Sequence, residues 1–145
     1  MEMSEVDPAI QQYAEQCGID TSKHQDPNTA IQECFERAMK NGDIIFHFQP
    51  VVNAETGECT SGELLMRWKN QEGNLIPPML YISAIEKNHD LMKKTGAYTV
   101  DRALSTFASW QKRGIAPAQV SINASPVEVA DPEYAQYVLD ALKRH

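Results

Sequence analysis

Three short segments of this 145-residue chain carry polar side chains in a pattern that could do chemistry: His47 and Gln49, Glu63 and Arg67, and Ser121 and Asn123. In each segment these residues alternate with apolar ones, so each reads as a strand with one greasy face and one polar face. A strand buried on both faces in an α/β protein reads instead as a nearly continuous run of Val, Ile and Leu. Polar groups turned toward an interior need partners, because an unpaired one costs about 1–3 kcal/mol and a buried charge costs more. Glu63 and Arg67 are four residues apart, a span of roughly 13 Å along a strand, and cannot easily pair with each other. They call for a third party: a ligand, a metal, or another strand.

The elements that must position these residues are legible. Asp7-Pro8 starts a short helix with a thin stripe of Ile10, Ala14 and Cys17, closed by Gly18. Asn28 or Thr29 caps a second helix, with Ile31, Cys34, Phe35, Ala38 and Met39 at helical spacing. Residues 44–52 form a strand with Ile44, Phe46 and Phe48 on one face. A turn over residues 53–58 leads to a return strand over 59–68, with Leu64, Met66 and Trp68 on one face and Glu63, Leu65 and Arg67 on the other. So short a connection suits an antiparallel hairpin. Helices follow from Pro77-Pro78 to about Leu91, with Ile82 and Ile85 turned inward, and from about Thr95 to Lys112. A strand over 120–123 and a last helix opened by Asp131-Pro132 end the chain. Strand, helices, strand, helix after a hairpin indicates an α/β fold with parallel pairing. Trp68, Trp110, Phe46 and Phe107 are assigned to the core, His47 to the core or the lining, and His24 and His89 to the surface.

Composition narrows the function. The net charge of −7 argues against DNA or RNA polymers as partners, since these need a basic field. Mean hydropathy is negative, and no apolar run approaches the roughly 18 residues of a membrane helix. Met1-Glu2-Met3-Ser4-Glu5 has no apolar segment of the kind a secretory signal carries, which points to the cytoplasm. Three cysteines without CxxC spacing read as buried free thiols.

Four segments together carry a family resemblance. Phe48-Gln49-Pro50-Val51-Val52, Gly62-Glu63-Leu64-Leu65-Met66-Arg67-Trp68, Pro78-Met79-Leu80-Tyr81-Ile82-Ser83-Ala84-Ile85-Glu86 and Val120-Ser121-Ile122-Asn123-Ala124-Ser125 resemble, in order, the motifs of EAL-type cyclic-di-GMP phosphodiesterase domains. The resemblance covers residues 29–145, with residues 1–28 as an N-terminal helical extension. It implies a partial EAL-type (β/α) barrel with an antiparallel first strand, preceded by short helices. It also implies metal-assisted hydrolysis of cyclic-di-GMP to linear pGpG, using Mg2+ or Mn2+. Carried over by position, Glu63 and Asn123 become metal ligands. Gln49, Leu65 and Arg67 become contacts to the dinucleotide, with Arg67 as a phosphate clamp. Leu64 stands where the family has alanine and His47 where it has tyrosine; Ile85, Asn88-His89-Asp90 and Tyr98 also depart from the pattern.

The remaining acidic ligands and lysine of such a site belong to later strands, so no complete catalytic set is expected in these 145 residues. An open barrel would leave an edge and apolar surface to be covered by a further segment or by self-association. The competing readings are a degenerate EAL module that binds cyclic-di-GMP or a protein partner without turnover, and a half-barrel interaction protein.

Overall fold

Four helices begin the same way, with a capping side chain followed by proline at the first helical position. The computed structural model, which describes residues 6–145 apart from the Val127 side chain, shows the pattern at α1 (Pro8–Gln16), α2 (Pro27–Asn41), α5 (Pro126–Ala130) and α6 (Pro132–Arg144). Asp7, Asp26 and Asp131 each accept the backbone N–H two residues on, all at 2.9 Å. Asp26 therefore caps α2, in place of the expected Asn28 or Thr29, because Pro27 behind it supplies the preset φ and needs no N–H partner. Gly42 ends α2 in the left-handed conformation (φ 78°), which a residue with a Cβ adopts only with strain. The reading of the first five residues lies outside the described part of the chain.

The strands are β1 (Ile44–Val52), β2 (Cys59–Lys69), β3 (Leu75–Ile76) and β4 (Gln119–Ile122). β1 hydrogen-bonds to β2 through a tight turn in which Asn53 N–H donates to the Glu58 carbonyl at 2.8 Å. The Asn53 side chain accepts the Glu55 and Thr56 N–H groups, which stiffens the turn. β3, a strand the sequence did not announce, pairs antiparallel with β2 at Trp68↔Ile76 and Lys69↔Leu75. β4 pairs with β2 in parallel, from Ser61↔Gln119 to Leu64↔Ile122.

The helical stretch between the strands differs from expectation. In place of one helix to Leu91, a 3-10 turn (Pro78–Leu80) leads into the short α3 (Ile82–Glu86), and a 24-residue α4 (His89–Lys112) then begins. Asn88 is the reason: its side chain accepts the Leu91 N–H at 3.0 Å, capping a new helix six residues before the expected start. Ile85 is buried and His89 exposed, both as expected, whereas Ile82 is exposed.

The chain forms two compact units. The first comprises the described residues up to Ile45 together with Arg67–Met92. Its core is an aromatic cluster of Tyr13, Phe35, Trp68 and Tyr81, all fully buried. Trp68 meets the other three rings with centroids 5.1–5.5 Å apart, all edge-on, a geometry worth about 0.5–1.5 kcal/mol per pair beyond burial. Gln32 Nε2 donates to the Ala84 carbonyl at 2.7 Å, fastening α2 to α3. The second unit comprises Phe46–Met66 and Lys93–His145. There Phe46 packs near Tyr98 (6.2 Å) and Phe48 packs edge-on against Trp110 (5.0 Å), so α4 covers one face of the hairpin. Phe46, Phe107 and Trp110 are only half-buried, which corrects their assignment to the core, and His47 is exposed, which excludes the core alternative of its reading. Of the three free cysteines, Cys34 is buried and Cys17 and Cys59 are half-buried.

Candidate functional site

Gly62 orients the site. A Cβ built on it would lie 2.1 Å from the Phe48 ring, so the Phe48 ring occupies the space over the glycine on one face of the hairpin. Because side chains alternate along a strand, the neighbours Gln49 and Glu63 must point to the opposite face, away from Trp110. Leu64 falls on the helix-covered face and is buried, while Leu65 shares the face of Glu63 and is half-buried.

The parallel pairing of β2 with β4 adds the third polar group. Glu63 lies directly opposite Ser121. Asn123 follows one residue beyond the last paired residue of β4. Extended geometry puts its Cα about 8 Å from that of Glu63, near enough for both side chains to converge on one small ion. Glu63 is half-buried and Asn123 and Gln49 are exposed, so the face is open to a ligand. Ser121, also exposed, is the member that sequence reasoning noticed but gave no role. Only the register shows it beside Glu63.

Arg67 occupies the same strand four residues on and belongs to the other compact unit. It is half-buried and follows the alternation that Glu63 starts. Burial pushes the neighbouring Tyr81 phenol up, and the Arg67 guanidinium opposes that shift. Thus the structure brings Glu63, Ser121, Gln49 and Leu65 to one face of one unit, with Asn123 next in the chain after β4, and holds Arg67 beside the aromatic cluster of the other.

The donor set tests the fit to a divalent cation. A carboxylate and an amide oxygen are the hard donors that Mg2+ or Mn2+ accepts. If Glu63 and Asn123 both reached such an ion, they would fill two of the six positions of its octahedron. No group of three His, Cys, Asp or Glu side chains is placed to hold a metal among the described residues.

A separate groove of about 320 Å3 runs between α4 and α5–α6, lined by Lys93, Gly96, Glu128, Asp131, Tyr134 and Tyr137 among others. Its charges are already occupied. Lys93 lies 3.5 Å from both Asp131 and Glu133. Glu128 completes a reciprocal cap of α5: Ser125 Oγ accepts the Glu128 N–H at 3.1 Å. Burial pushes the Glu128 carboxyl up, and a hydrogen bond from the Ser125 backbone opposes that shift. The Ser-x-x-Glu spacing that encodes this cap is readable in Ser125-Pro126-Val127-Glu128.

Comparison with known proteins places this geometry. The profile of the EAL domain matches residues 32–145. The cyclic di-GMP phosphodiesterase PdeR of Escherichia coli K12 is 32% identical over 108 residues, covering 74% of this chain and 15% of that protein. The probable cyclic di-GMP phosphodiesterase PdeG of the same organism is 31% identical over 111 residues, covering 75% of this chain and 21% of that protein. Among solved structures, the PaMucR phosphodiesterase in complex with c-di-GMP superposes with a TM-score of 0.71 at 27% identity, over 79% of this chain and 46% of that one. The FimX EAL domain of Pseudomonas aeruginosa bound to c-di-GMP gives a TM-score of 0.63 at 21% identity, over 81% of this chain and 44% of that one, a likeness of fold. The chain thus spans less than a quarter of these two curated relatives and under half of these two solved chains. It is an α/β chain with the fold of part of an EAL barrel.

Proposed function

Because this chain belongs to the EAL domain family, we propose that its polar sheet face binds cyclic-di-GMP, and that the complete domain hydrolyses this dinucleotide to linear pGpG. The observation that carries the reading is the register of β2 on β4, which sets Glu63 opposite Ser121 with Asn123 next in line. Gln49 and Leu65 on the same face supply an amide for hydrogen bonding and an apolar surface for a base. Arg67 supplies a guanidinium whose planar fork matches a phosphate.

Glu63 and Asn123 would hold Mg2+ or Mn2+. The bound cation supplies positive charge beside the phosphodiester. With two protein donors the ion is held weakly, so we propose that residues 1–145 alone bind without turnover. That is the behaviour of a degenerate EAL module, and the donor count favours it for this stretch of chain. Residues 29–145 serve as the N-terminal portion of the barrel and residues 1–28 as its helical extension. A cytoplasmic location is proposed on the strength of the cyclic dinucleotide ligand; among the described residues no helix is long and apolar enough to cross a membrane.

Calorimetry with cyclic-di-GMP, with and without Mg2+, tests the proposal. The expected result is binding that Mg2+ strengthens, with the Mg2+-dependent gain reduced about tenfold in Glu63→Gln, the order expected for losing a contact to a charged group. Absence of binding heat under both conditions would overturn it.

A further inference from the structure

Helix α1 lies outside the stretch that matches the family, residues 32–145, yet Ile10, Tyr13 and Ala14 on it are fully buried. A nine-residue helix is marginal in water on its own, so its packing decides where it sits. Tyr13 is the centre of that packing. Its hydroxyl donates to the Asp43 carboxylate at 2.7 Å, and its ring meets Trp68 edge-on at 5.1 Å. Asp43, the buried residue just before β1, accepts the Lys69 N–H on its backbone oxygen at 3.0 Å. Its carboxylate also accepts Gln71 Nε2 at 3.4 Å, and the Gln71 N–H donates to Gln16 Oε1 at 3.3 Å. Arg67 is followed directly by Trp68 and Lys69, so every one of these contacts bears on the end of β2 that carries it or on the loop just beyond. A buried carboxylate needs such partners, because leaving it unpaired is costly.

We infer that α1 is a latch on the C-terminal end of β2: Tyr13, acting through Asp43 and Trp68, is a positioning residue for Arg67. Displacing α1 then alters how Arg67 meets an anionic ligand, which gives whatever moves α1 a handle on that contact. The positioning role rests on the reading of Arg67 as a phosphate contact; the latch does not.

The test uses the full chain and Tyr13→Phe, which removes the hydroxyl and keeps the ring. Gln71→Ala, a change at an exposed residue, is the second variant should the first fail to fold. Native-state hydrogen exchange is expected to show about tenfold lower protection of the Lys69 amide, with the β2–β4 ladder unchanged. Calorimetry is expected to show cyclic-di-GMP affinity falling several-fold, and that fall vanishing in an Arg67→Ala background. Unchanged protection of Lys69 overturns the latch. Lost protection with unchanged affinity, or a fall in affinity that persists without Arg67, overturns the positioning role. If the unaltered chain does not bind cyclic-di-GMP, the reading of Arg67 and its positioning fail together, while the exchange result still decides the latch.

Discussion

Cys34 and Gly62 show how much a single position can be asked to do. Burial is the main influence on the Cys34 thiol and, helped by the nearby Glu33 charge, pushes it up to about 12. Its reactive thiolate is therefore nearly absent at pH 8. A thiol reagent is expected to modify Cys17 and Cys59 in the folded chain and Cys34 only after denaturant is added. Rapid reaction of three thiols in the native protein would contradict the packing described for α2. Gly62 has the Phe48 ring where its Cβ would be, and the Gln49 carbonyl oxygen only 2.9 Å from that point. Gly62→Ala must displace the ring or the strand, an overpacking cost of about 1–3 kcal/mol. A thermal midpoint lowered by several degrees is the expected result, and an unchanged midpoint would show that Phe48 does not cover the glycine.

At the scale of elements, α4 and α6 are joined by a cluster around Asp101, which accepts the Tyr137 hydroxyl at 2.7 Å and Arg144 at 3.1 Å. Partial burial alone would raise the Asp101 carboxyl, but the hydrogen bonds from Tyr137 and Arg144 outweigh it and hold the group below its ordinary value. A carboxyl depressed in the folded state contributes stability that is present above its unfolded pKa, near 4, and is lost as pH falls through the folded value. Asp101→Asn should therefore be less stable than the parent at pH 6, with the difference closing as the pH falls below 4. Denaturant titrations across that range check it. A difference that grows in acid would reverse the sign and sink the assignment. These elements were legible to different degrees. The hairpin and the Asp-Pro starts of α1 and α6 could be read because capping and turn chemistry are local. The restart of the chain at α4 could not, because Asn88 competes as a cap against a continuous apolar pattern, and only packing chooses between them.

For the whole molecule, surface left without a partner is the telling feature. Val129, Leu139 and Leu142 on α5 and α6 are 66%, 53% and 52% exposed, and among the described residues β4 pairs only with β2. Apolar side chains and a strand edge left open are the features by which chains associate. Residues 1–145 are expected to self-associate, or to be covered by a further segment of a longer chain. Light scattering after size exclusion is the measurement, and a monomer at all concentrations of the 145-residue chain would rule out self-association. The same sample is expected to leave cyclic-di-GMP intact in the presence of Mg2+. Turnover that disappears in Glu63→Ala would instead mean that two protein donors suffice.

What the amino-acid order determined by itself was local. Alternation split each strand into a polar and an apolar face, and proline behind a capping residue started helices. Four motifs in order identified the family. None of these depends on distant parts of the chain. The tertiary structure decided which polar residues meet. Glu63 faces Ser121 because β4, more than fifty residues away in sequence, docks in parallel at one register, and a slip of one residue would turn Asn123 to the other face. It also decided that Tyr13 reaches Asp43, a contact thirty residues apart that no periodicity encodes. Chain closure over such distances is set by packing summed over the fold, and that sum is not written in any short stretch of sequence.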